Sequence, residues 1–147
     1  MRPLKGIATA VAALTLAGCV SAAPDDSSFE EKTSTTAAAA ASEVATVRLT
    51  TQLLIEGHLQ QNYAEVTISA SEDALSSIAQ TFSVVQPPDG AADQLRAQVE
   101  AILSDASDAV AEARIASRRD DHAAMTTALV NLDRANAQLQ AAEEMLG

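Results

Sequence analysis

The chain has no tryptophan, and its aromatic residues are Phe29, Tyr63 and Phe82 alone. A core with so few rings must be filled by Ala, Val, Leu, Ile and Met, which favours close helix contacts over a roomy pocket. Cysteine occurs once, at Cys19, so an internal disulfide framework and a cysteine-only metal site are excluded. Cations are scarce, with 9 basic against 20 acidic residues and a net charge of -11. Arg2 and Lys5 precede Cys19, so without residues 1–18 the balance is 20 acidic to 7 basic, or -13. Such a charge opposes nucleic acid and anionic headgroups, both of which require clustered Lys and Arg. Catalytic patterns are missing too: there is no Gly-rich phosphate loop, HExxH, GxSxG or CxxC spacing. At 147 residues, the chain has room for one domain.

The first nineteen residues, MRPLKGIATAVAALTLAGC, have an obvious layout. Arg2 and Lys5 give a positive start, Ile7 to Leu16 an apolar stretch, and Ala17-Gly18 small residues before Cys19. That is the arrangement of a secretory signal peptide. An apolar run of about a dozen residues falls short of the ~20 needed to span hydrocarbon. Ordinary cleavage at the small residues Val20-Ser21-Ala22 or Ser21-Ala22-Ala23 is the alternative. Leu16-Ala17-Gly18-Cys19 resembles the lipobox of bacterial lipoproteins. The resemblance covers the leader and not the domain. It implies a diacylglyceryl group on the Cys19 thiol, cleavage just before Cys19, and anchorage on the extracytoplasmic face of an envelope membrane.

Val20 to Ser42 is rich in Ser, Thr, Ala and acidic residues, with Pro24 and one large apolar residue, Phe29. This composition reads as a tether, residues 19–42, of about 20 residues with an r.m.s. reach of roughly 25 Å. Residues 37–41 are all Ala, which leaves room for helix there.

From position 43 onward the pattern is helical. Val44, Val47, Thr51, Leu54 and His58 recur at three- and four-residue steps. Gly57 and Gln60-Gln61-Asn62 weaken the helix, and Asn62 with Glu65 has capping-box spacing. One long helix through this point is the alternative. A second stripe reads Ala64, Ile68, Ser71, Leu75, Ile78, Phe82, Val85, and Pro87-Pro88-Asp89-Gly90 then breaks the chain. The third stripe is Leu95, Val99, Ile102, Ala106, Ala109, Ala113, with Leu103 and Val110 beside it. Arg118-Arg119-Asp120-Asp121 supplies cations for one helix end and a cap for the next start. Met125, Ala128, Leu132, Ala135, Leu139, Ala142 and Leu146 complete the last stripe. The expected fold is all-α, an antiparallel four-helix bundle over 43–147. Tetratricopeptide-like hairpins are the alternative, but no 34-residue self-similarity supports them.

In such a bundle the first and third turns share one end. Tyr63, Arg114, Arg118 and Arg119 would meet there, forming a surface for contact with another envelope protein. Arg and Tyr are favoured at interfaces. His58, His122 and Asp121 would gather at the same end and are the available metal ligands, although two histidines in separate turns are no ligand signature. Adjacent carboxylates such as Glu72-Asp73, Asp120-Asp121 and Glu143-Glu144 read as solvated surface, because neighbours on a helix point about 100° apart. The sequence therefore predicts a lipid-anchored interaction or structural module without catalysis or cofactor. A small-ligand or metal-binding bundle is the rival reading.

Overall fold

The computed structural model describes residues 25–146. The leader, Cys19 and the small-residue cleavage alternatives lie outside them. Four helices follow in order: α1 (Asp26–Ile55), α2 (Gln61–Ser83), α3 (Gly90–Arg118) and α4 (His122–Leu146). Helix α1 packs on α2 and α4, α3 packs on the same two, and α1 also touches α3 across the middle. The result is an antiparallel four-helix bundle with α1 and α3 on the shorter diagonal. No strand occurs among the described residues.

Helix α1 starts sixteen residues before Ser42, the expected end of the tether, so residues 26–42 are helix and part of the bundle. Asp25 caps it, its carboxylate accepting from the Ser28 backbone N–H and the Ser27 hydroxyl, both at 2.9 Å. These two bonds, the backbone one foremost, hold the Asp25 carboxyl below its usual value of 3.8. The buried positions in the early part of the helix are Phe29, Thr33, Ala37, Ala40 and Ala41, which run into Val44 and Val47. The spacing is helical throughout, but the residues are small or hydroxylated, and that composition imitates a linker. Threonine enters the core because its hydroxyl bonds back along the helix. Thr33 Oγ1 donates to the Phe29 carbonyl and Thr51 Oγ1 to that of Val47, each at 2.8 Å.

Helix α1 ends where the sequence weakens. Gly57 takes the left-handed conformation, φ 71°, and the His58 N–H returns to the Leu53 carbonyl at 2.9 Å. Two helices therefore cover 43–83. Helix α2 begins at Gln61, ahead of the expected cap at Asn62, and Gln60 makes no side-chain capping bond. Gln61 bonds Glu65 Oε1 and the Ser117 carbonyl instead, both at 3.3 Å, and so ties the start of α2 to the end of α3.

The stripes meet as expected along α2 and α4. Ile68, Leu75 and Phe82 are buried, as are Met125, Leu132 and Leu139 with the alanines between them. In α3 the buried seam runs through Val99, Leu103, Ala106, Val110 and Ala113, leaving Leu95 and Ile102 at its edge. Alternating large and small residues let the helices interdigitate. Phe29 and Phe82 close one end of the core with ring centroids 6.2 Å apart. This is the end where the chain enters α1 and where Pro87-Pro88 leads into α3, whose cap Asp89 accepts from Ala91 N–H at 2.8 Å.

Candidate functional site

The opposite, distal end carries the two short turns. At α3's end the chain makes a tight reversal: Asp120 N–H donates to the Ser117 carbonyl at 3.0 Å and Asp121 N–H to that of Ala116 at 3.1 Å. This is the double bond pattern that closes a helix around a left-handed residue. That residue is Asp120, φ 51°, where glycine would be easier. Asp121 then caps α4, its carboxylate accepting from Ala124 N–H at 3.0 Å.

The residues expected at this end differ in availability. Arg114 faces α2, and its Nε lies 2.6 Å from Glu72 Oε2. The contact is Coulombic, since the N–H is not aimed along a hydrogen bond. Arg114 therefore joins two helices rather than facing solvent, and Glu72 is not the solvated carboxylate its pairing with Asp73 led us to expect. Tyr63 stands out on α2, 65% exposed, with Val66 one turn on. Arg118 and Val66 border one cleft, between α3 and α2. Arg119 lines another, between α3 and α4, together with Ile115, Ala116, Ala124 and Thr127.

His58 is exposed in the first turn. His122 is also exposed, its Nε2 3.9 Å from Asp120 Oδ1, a separation that contributes little in water. Asp121 is engaged as a cap. Among the described residues no group of three or more His, Cys, Asp or Glu is placed to hold a metal ion, so His58, His122 and Asp121 do not form a ligand set. No helix among them is long and apolar enough to cross a membrane.

Ile115 is the element the sequence reading passed over. It was legible as the residue four positions before Arg119, one turn back on the side of α3 that meets α4. Its exposure depends on how α3 is turned in the bundle, which the stripe alone left loose. No family model matches this chain, nor does any curated protein or solved structure. The fold defines its class, a four-helix bundle.

Proposed function

We propose that this protein is a bacterial lipoprotein, held through Cys19 to the extracytoplasmic face of a membrane of the cell envelope, whose bundle is a non-enzymatic interaction or structural module. The observation that carries the reading is Leu16-Ala17-Gly18-Cys19 at the end of a positively started apolar leader. Acyl chains on that thiol, palmitate among them, would anchor it durably, at ~0.8 kcal/mol per buried methylene.

The absence of catalysis is supported by what the polar side chains do. Asp121 and Asp89 cap helices, Glu72 joins Arg114, and Glu112 accepts from Asn131 at 2.6 Å. Those are architectural tasks. The small-residue core, with Ala37, Ala40, Ala64, Ala106 and Ala113 fully buried, supports a closely packed body rather than a ligand chamber. The acidic balance speaks against nucleic acid as a partner. Another envelope protein is the partner this surface suits.

The anchor is tested by Cys19→Ser in the full chain. The parent should incorporate labelled fatty acid and sediment with membranes; the variant should lose the label and remain uncleaved or be released. A Ser variant that still takes up label and partitions like the parent overturns the reading.

A further inference from the structure

We propose that the outer face of α1 pairs in parallel with the same face of a second copy of this chain, through the stripe Thr35, Ala39, Ser42, Thr46, Leu49 and Leu53. This contact is additional to the distal surface above, and it draws on the anchor reading only for what brings copies into one plane.

Helix α1 carries two stripes of the same spacing. The inner one, Thr33, Ala37, Ala40, Val44, Val47 and Thr51, is buried in the bundle. The outer one lies two residues further on at every position, about 200° around the helix, and recurs at steps of four and three. Thr35, Ala39, Ser42, Thr46 and Leu49 are exposed, Leu49 by 53%, and Leu53 is half-buried. None of the six is charged. The outward face of a bundle helix ordinarily carries charge, and α3 conforms: the positions two residues beyond its buried seam include Asp105, Asp108, Glu112 and Arg119. One exposed leucine is ordinary. A charge-free outer face over positions 35–53, ~27 Å, is not ordinary on a chain of net charge -11.

Spacing and side chains together select a second copy as the occupant. A two-fold contact along the seam sets each residue against its own image, so a charge there would meet a like charge. An acidic chain has few surfaces that pass this condition, and the α1 stripe passes it. Steps of four and three average ~3.5 residues, the period that keeps a seam facing its partner as two helices supercoil. Thr46 Oγ1 donates back to the Ser42 carbonyl at 2.9 Å, which leaves the threonine methyl for the contact. Parallel pairing sets Leu49 and Leu53 against leucine; antiparallel pairing would set them against Ala39 and Thr35. Glu43 flanks the stripe, and in the parallel register it stands beside Ala38 of the second copy rather than another Glu43. Lys32 and Glu56, the next positions of the repeat, bound the seam. A single helix seam is a small interface, so the pairing is weak between free molecules and gains from copies held in one membrane.

Thr35→Cys and Leu49→Cys, made singly in the full chain in intact cells, test the two ends of the seam, with Ala101→Cys on the exposed side of α3 as control. A short bis-maleimide should join each seam variant to its own copy, giving an adduct of twice the chain mass, and should leave the control and the parent unjoined. Ser42→Glu with Thr46→Glu sets like charges face to face at exposed positions and should cut both yields about tenfold. Ser42→Lys with Thr46→Lys should do the same alone, and co-expressing the Glu and Lys chains should restore joining between them, which a misfolded chain could not do. Joining at one end only or at neither, equal joining from Ala101→Cys, or a yield indifferent to the Glu pair overturns the proposal. An adduct with a different protein in place of the second copy overturns it too and leaves the interaction reading standing. Sedimentation of the same samples with membranes reads the anchor separately: a chain that joins at both ends without sedimenting keeps the seam and loses the anchor.

Discussion

Ser117 is 1% exposed, yet its hydroxyl has no hydrogen-bond partner. Its carbonyl is occupied, accepting from Asp120 N–H and from Gln61. A buried polar group left unmatched costs about 1–3 kcal/mol, so Ser117→Ala should stabilise the bundle by roughly 1 kcal/mol. A raised denaturant midpoint with an unchanged slope checks this; a lowered midpoint would mean that the hydroxyl has a partner after all. Asp120 is a second residue whose role depends on its setting. The sequence offers Asp120 or Asp121 as the cap of α4; capping falls to Asp121, and Asp120 instead bears the reversal's left-handed backbone. Two adjacent aspartates offer the same chemistry, and only the path of the chain decides between them.

At the scale of helices, the early part of α1 carries the clearest consequence. Phe29 is 1% exposed and meets Phe82 across the end of the core. Phe29→Ala should therefore cost about 3–5 kcal/mol, whereas in a free tether it would cost nothing. Equilibrium unfolding of the full chain distinguishes the two. The cap at Asp25 adds a pH dependence whose sign follows from its lowered pKa. The native state prefers the ionised carboxylate, so its contribution is present above the ordinary value near 3.8 and is lost as pH falls through the lower folded value. Fraying of the first turn in acid, and its absence in Asp25→Asn, should appear in amide exchange near Ser28. Much of the architecture was readable. The α2 and α4 stripes follow from three- and four-residue spacing, the Pro87-Pro88 break from its breaker residues, and the pairing of turns at one end from the antiparallel topology. What was not readable is residues 26–42, where Ala and Thr bury by closeness and by back-bonded hydroxyls rather than by hydropathy. The arginines at the distal end were found, but their division was hidden. Arg114 meets Glu72 of α2, while Arg118 one turn on and Arg119 have no ionic partner, because spacing along α3 sets the face of each arginine but not which of them finds a carboxylate on the neighbouring helix.

For the molecule as a whole, stability rests on one continuous core. Leu132 and Leu139 are fully buried within it, and each Leu→Ala change should cost about 2–5 kcal/mol. Against a typical total of about 5–15 kcal/mol, either change would leave a marginal bundle, and the pair would unfold it. Thermal denaturation followed by circular dichroism measures both. An unshifted midpoint would mean that α4 is wrongly phased.

The start of α1 at Asp26 also sets a height. Six residues, 20–25, separate Cys19 from the helix, and even fully extended they span at most ~20 Å. The helix itself, 30 residues at ~1.5 Å each, is about 45 Å long. If Cys19 is acylated, the bundle is a post on a short leash, and its arginine-bearing tip stays within a layer that reaches at most about 65 Å from the lipid. Partners confined to the same layer meet it at a raised effective concentration. An affinity too weak to matter between freely diffusing molecules would then be enough to hold them together.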